Sequence, residues 1–347
     1  MSDRRSGPRR LTHRIAGTYP LADTYHMGAL QSEMEEVTAL VAELVPAATG
    51  LELTGSPSTV VIGRQVWVER NVASFAHLIE PVRKRLLEAN AESGRAPGSM
   101  ARIVDRFVKT ETEALLSVMA RRVLGQYELV LPTGEPGDVV SYVGPNIMQM
   151  ERSNQFRPSE FRFWVALHEM THRAQFQGIP WLRDYFMGLV TELVEQSRPE
   201  PGKLGRIIDE MTQRRRAGID LVDERGLLGL FATGGQREVI DRVQALMSLL
   251  EGHGHVVMDR LGETHLRTQD RMSRLLKARR TDKRTATFFR LTGLEMKLKQ
   301  YRIGEQFVKT VETEAGWDTL GLAFRGASSL PTLAEIEEPV AWLERVA

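Results

Sequence analysis

The sequence predicts a mainly α-helical (α+β) protein in which a small β-sheet comes just before a helix carrying the motif HExxH. Apolar residues recur at three- and four-residue spacing through most of the 347-residue chain. One stretch, 126–151, departs from that rhythm with two short β-rich runs around a Pro/Gly cluster. The motif, His168-Glu169-x-x-His172, follows inside a long amphipathic pattern.

Taken in order, residues 1–20 read as a flexible basic tail, solvated rather than binding. Residues 21–347 are expected to form a single domain. Leu30, Met34, Val37, Leu40, Val41 and Leu44 mark a helix over 29–45. Residues 51–62, with Gly55 and Pro57, read as a connection. Helical pattern returns over 64–90, and SGRAPGS breaks it before a helix near 99–125. Tyr127–Leu131 and Val139–Val143 flank Pro132, Gly134, Pro136 and Gly137, as in a hairpin. Tyr142–Glu151 reads either as a strand beside the metal, able to pair with an extended substrate, or as an ordinary sheet strand. Further helices are expected at 181–196, 203–216, 236–260, 265–279, 285–313 and 333–346.

Composition excludes several classes of function. Lys+Arg of 46 against Asp+Glu of 45 leaves a net charge of +1, which provides no broad field for nucleic acid or an anionic membrane. The absence of cysteine rules out disulfides and thiolate metal sites, so a metal must use His, Asp, Glu or water. It also fits a reducing compartment. No apolar run is long enough for a membrane span. The start, MSDRRSGPRRLTHR, has no apolar core of a secretory signal. A cytoplasmic location is therefore expected.

The chemistry concentrates in residues 158–177, PSEFRFWVALHEMTHRAQFQ, with Ser159 as a plausible N-cap. Phe161, Trp164, Val165, His168, His172 and Gln175 share one face at helical spacing. One turn separates the two imidazoles, so both can reach one zinc ion. Glu169 projects about 100° further round. It can therefore stand beside the ion and act as a general base toward water that the ion has made acidic. The competing structural reading is a pair of core histidines satisfied by hydrogen bonds.

A third protein ligand must come from elsewhere. In 243–259, VQALMSLLEGHGHVVMD, Glu251 falls on the stripe of Val243, Met247, Leu250, Gly254 and Met258. A carboxylate there is costly without a cation or donors. Glu251 is the preferred ligand. His255, one turn on, is the alternative, either as a ligand or as a partner of one. His253 points to another side, toward substrate or solvent. Gly252 and Gly254 are costly inside a helix and suit close approach by another helix or a substrate. A surface-facing polar cluster explains the same segment without a metal.

HEMTHRAQFQGIPWLRDYF, YVGPNIMQMER, LMSLLEGHGHVVMD and GLEMKLKQYRIGEQFV together resemble a bacterial family of zincin-like metallohydrolases, over residues 20 to 346. Some members are labelled as associated with deazaflavin cofactor biosynthesis. The sequence carries no cofactor-binding pattern that goes with that label. The resemblance implies a zincin-like helical domain, a site built from the 158–177 and 236–260 helices, and a glutamate third ligand, which falls on Glu251. Many glutamate-type zincins carry an aspartate four residues after that glutamate; this chain has His255 there.

Other residues carry weaker signals. Tyr301, near Lys297 and Arg302, is a candidate transition-state stabiliser, although an amphipathic helix explains it equally. Arg214–Arg216 and Lys277–Arg284 read as solvated helix ends. Asp223 and Glu224 could neighbour the site. The leading function is a zinc metallohydrolase, peptidase-like, acting on a peptide or a small amide or ester. The alternative is a non-catalytic, zinc-stabilised helical protein that binds a partner. Glu169-x-x-His172 also fits half of a di-iron bundle motif, but no second Glu-x-x-His lies on a plausible facing helix.

Overall fold

A computed structural model describes residues 15–92, 113–195, 234–280 and 295–346, with backbone alone at 78–79, 81–92, 194–195, 234, 277–280 and 295–301. The expected helix at 203–216, the runs at 214–216 and 281–284, Asp223, Glu224 and residues 1–14 lie outside the described residues. The chain divides into two compact units. One comprises Met1–Gly178 with Leu266–Thr268, and the other Ile179–His265 with Gln269–Ala347.

In the first unit, α1 (Tyr25–Thr49) buries Leu30, Met34, Thr38, Val41 and Val45 along one stripe. It ends at Gly50, whose φ of 69° is the left-handed conformation that glycine adopts without a Cβ penalty. The expected connection at 51–62 is only partly one. Its last residues, Ser58–Ile62, form strand β1. The β-branched run Thr59-Val60-Val61-Ile62 is the signal for it, and Gly55 and Pro57 mark its entry. Helix α2 (Arg64–Glu92) follows, and Trp67 and Val68 join Ile62, Ala120 and Val143 in a core cluster.

Strands β2 (Gly125–Val130) and β3 (Pro136–Val143) form the expected antiparallel pair, with Gly125 opposite Tyr142. The sheet order is β1-β3-β2, and β1 runs parallel to β3 from Ser58/Val139 to Ile62/Val143. Val140–Val143 are all buried, and because successive strand residues point to opposite faces, both faces of this end of β3 are covered. On β1, the Gln31 side chain from α1 takes the part of a neighbouring strand. Its amide donates to the Thr59 carbonyl at 2.8 Å and accepts from the Val61 N–H at 2.6 Å.

The strand reading of Tyr142–Glu151 fails after Val143. Residues Gly144–Asn154 form helix α3, with Pro145 in its first turn. A proline there loses no intrahelical hydrogen bond and presets φ, which converts an apolar run into a helix start. Helix α4 (Pro158–Gly178) carries HExxH. Its first bond runs from the Phe161 N–H to the Arg157 carbonyl, so Arg157, not Ser159, precedes the helix. Glu160 on α4 accepts from the Thr268 N–H at 2.8 Å and hydroxyl at 2.6 Å, which ties 266–268 to this unit.

The second unit contains α5 (Leu182–Glu195), α6 (Gly234–His265), α7 (Gln269–Arg280) and α8 (Glu295–Ala315). A 3-10 segment, Trp317–Phe324, follows. The expected helix at 333–346 is two: α9 (Leu333–Glu337), with a Thr332/Glu335 capping box, and α10 (Pro339–Val346). Pro339 has no N–H to continue the ladder, which separates them. Trp342 is buried against Phe307, ring centroids 5.3 Å apart, and donates to the Ser329 carbonyl at 2.9 Å.

Helices α6 and α8 meet backbone to backbone. A Cβ on Gly252 would lie 2.1 Å from the Gly304 carbonyl carbon, and one on Gly304 would lie 1.9 Å from the Ser248 carbonyl oxygen. The expectation of close approach at Gly252 is met by another helix. Gly304→Ala is expected to cost at least about 2 kcal/mol, because the obstruction is backbone and cannot rotate away. A urea titration reads this as a lower midpoint; an unchanged midpoint would mean that the helices can part at no cost.

Candidate metal centre

Helix α4 is buried along most of its length, and opposed polar groups fix its rotation. Phe161 stacks on Phe156 at 5.0 Å and on Trp164 at 6.2 Å. Arg162 makes two bonds to Glu151 of α3, at 2.8 and 3.0 Å, and a third to Glu33 of α1. Arg173 has 0% of its side chain exposed. Its Nε and one terminal nitrogen grip the two Asp138 oxygens of β3 at 2.7 and 2.9 Å. The same guanidinium donates to the Thr54 and Gly55 carbonyls at 2.8 and 3.2 Å.

With that rotation set, His168 and His172 are half-buried while Leu167, Glu169, Met170, Thr171 and Arg173 are buried. The imidazoles therefore do not lie in a dry core, as the reading of two satisfied core histidines requires. Their Nε2 atoms are 3.2 Å apart, and the rings cross at 80°. His172 Nδ1 is 2.9 Å from Gln175 Oε1. A carbonyl oxygen can only accept, so Nδ1 carries the proton and Nε2 is the nitrogen that bears the lone pair. Zinc–nitrogen bonds of about 2.0–2.1 Å place two tetrahedral ligands about 3.3–3.4 Å apart. The observed separation of 3.2 Å and the tautomer both fit a shared ion.

Glu169 is buried, and its carboxylate lies against the start of β2. A Cβ on Gly125 would fall 2.6 Å from Glu169 Cγ and 2.7 Å from Oε1. Only glycine at 125 leaves room for this carboxylate. Near it, the Tyr142 hydroxyl and Thr38 Oγ1 are 2.9 Å apart. Burial pushes the Tyr142 pKa far up; the Thr38 bond opposes this and the Glu169 charge adds to it. Tyr142 therefore stays neutral at any physiological pH.

The remaining candidates belong to the second unit. Glu251 is buried on α6. His255, also buried, has its Nε2 3.4 Å from Glu305 Oε2 on α8 and 3.8 Å from Asp259 Oδ2. His253 does not meet solvent. It is buried, stacked 5.4 Å from Trp317 and edge-on to Phe324 at 5.6 Å. Arg260 lies over the Trp317 ring, 3.8 Å from its centroid. Tyr301 and Lys297 are on α8, and their side chains lie outside the described residues. Arg302 is exposed.

An HExxH helix with two convergent imidazoles makes this a candidate metal centre of the zincin kind. Residues 9–343 match the model of the zincin-like metallopeptidases, and the chain belongs to that family. A crystal structure of a Chloroflexus aurantiacus protein, described as a candidate hydrolase with a novel fold, is similar over 97% of this chain and 96% of that one. The two are 27% identical, with a TM-score of 0.70. No curated protein matches the chain. Family and neighbour together support a hydrolase.

Two contributors were not picked out by sequence. Gln175 was noted on the histidine face, three residues after His172, yet its role as the imidazole's acceptor needed geometry. Gly125 at a strand start is a general sign of close approach, but nothing in the sequence indicated what approaches. For the scaffold, Arg173→Leu is expected to cost about 2–3 kcal/mol, toward the low end for a broken buried pair because Asp138 can still be hydrated. Chemical denaturation measures it; a loss below about 0.5 kcal/mol, as at an exposed pair, would show that Arg173 does not hold α4.

Proposed function

We propose that the protein is a zinc-dependent hydrolase with peptidase-like chemistry, in which His168, His172 and Glu251 hold the ion and Glu169 is the general base. The observation that carries this is the 3.2 Å approach of two half-buried imidazoles, one with its other nitrogen engaged by Gln175. Glu251 is preferred to His255 as third ligand because the His255 ring is directed at Asp259 and Glu305. A carboxylate buried on an apolar helix stripe also needs a cation or donors.

A bound zinc ion would supply Lewis acidity, lowering the pKa of water and polarising a carbonyl. The chain's own groups do the rest. Gln175 holds His172 in the tautomer that presents Nε2. Gly125 lets the Glu169 carboxylate stand beside the imidazoles, where it can take a proton from the attacking water and pass it to the leaving group. Arg173 and Arg162 keep the helix from turning these groups away. The substrate is proposed to be a peptide or a small amide or ester. The lack of cysteine supports a cytoplasmic setting. No helix among the described residues is long and apolar enough to cross a membrane.

Glu169→Gln is expected to lower turnover by about 10²–10⁴-fold while zinc content stays unchanged. The assay is cleavage of a mixed peptide library followed by mass spectrometry, with metal analysis in parallel. Equal cleavage by the two proteins, or none by either, overturns the reading. Gln175→Leu is expected to weaken zinc binding by about 10–100-fold without unfolding the protein. A competition titration with a chelating dye measures it, and unchanged affinity would dismiss the role given to Gln175.

A further inference from the structure

We propose a second divalent-cation site, distinct from the HExxH centre, formed within the second unit by His255, Asp259 and Glu305. His255 and Asp259 are one turn apart on α6, and Glu305 lies on α8 beside Gly304. The backbone contact of Gly252 with Gly304 brings the two helices close enough for these three side chains to converge. One donor atom from each, an imidazole nitrogen and two carboxylate oxygens, lies within 4.8 Å of the others.

The distances leave room for an ion among the three groups, because they are longer than direct hydrogen bonds. An imidazolium bonded to a carboxylate closes to about 2.7–2.9 Å. His255 Nε2 stands 3.4 Å from Glu305 Oε2 and 3.8 Å from Asp259 Oδ2, too far for that bond. Ligands about 2.0–2.2 Å from one zinc ion are separated by about 3.3–3.6 Å; the Glu305 separation of 3.4 Å lies in that range and the Asp259 separation of 3.8 Å falls just beyond it. Each carboxylate is also held by its outer oxygen. Lys309 Nζ is 2.7 Å from Glu305 Oε1, and Gln269 Nε2 donates to Asp259 Oδ1 at 3.0 Å. The inner oxygens, Oε2 and Oδ2, are the ones turned to the imidazole. Orientation of ligands by outer partners is usual at metal sites.

The donor set selects the ion. One imidazole with two carboxylates suits a first-row divalent transition ion such as Zn2+ over Mg2+ or Ca2+, which prefer oxygen alone. The Lys309 charge opposes the cation, so this site is expected to be the weaker of the two. His255 is buried, so such an ion would brace the α6–α8 contact from inside rather than decorate a surface.

The test is metal stoichiometry on the full chain, stripped with a chelator and reloaded with zinc alone. Two equivalents are expected for the wild type, and one each for Asp259→Asn, Glu305→Gln and His168→Ala, with circular dichroism reporting the fold. Two equivalents retained in both Asp259→Asn and Glu305→Gln overturn the proposal. One equivalent in the wild type, lost in His168→Ala, also overturns it and leaves the proposed function standing. One equivalent that is lost in Asp259→Asn but kept in His168→Ala supports this site and removes the HExxH reading instead.

Discussion

The arrangement on α4 depends on how far that helix is allowed to turn about its own axis. Arg173 sets the limit. Its guanidinium is enclosed, and it grips Asp138 of the central strand with two bonds and the chain ahead of β1 with two more. An arginine so placed has one acceptable position. The neighbouring His172 and the motif one turn back inherit that position, because helical geometry leaves about 100° per residue and no slack. The charged residue is therefore next to the reactive ones in sequence but on the opposite side in function: it faces the sheet so that they need not.

The sequence made the helical part of this legible, because a 3.6-residue rhythm is a direct imprint of one buried face. The HExxH helix and the long α6 follow from it, and the β2–β3 pair follows from the β-rich stretch that interrupts it. Besides the 333–346 run, which divides at Pro339, two elements differ from the sequence reading for identifiable reasons. Strand β1 is only five residues and follows turn-forming residues, so its β-branched run was absorbed into the connection. Helix α3 begins directly after a strand without a polar cap, and Pro145 was the sole cue. Apolar runs of that length are ambiguous without knowledge of which strands lie beside them. The sheet order, with β3 in the centre, is a property of chain crossing that local pattern does not record.

At the site, identity of residues was legible and their tuning was not. His168, His172 and Glu169 announce themselves by spacing. Gln175 and Gly125 act through a hydrogen bond and through missing volume, neither of which has a motif. His253 is a different case: its helical phase differs from that of His255, which suggested substrate or solvent, and solvent is excluded because Trp317 and Phe324, distant in sequence, enclose it. The two glycines at the α6–α8 crossing were a truer guide, because a residue that weakens a helix implies a gain elsewhere.

Gln31 replaces a strand with a single side chain. Unpaired peptide groups along the outside of β1 would offer a template to any extended chain that drifted past. By supplying one donor and one acceptor at Thr59 and Val61, the amide spends those positions on a rigid partner from α1. The sheet is thus closed to recruitment on that flank, and copies of the molecule are discouraged from stitching together into ordered aggregates.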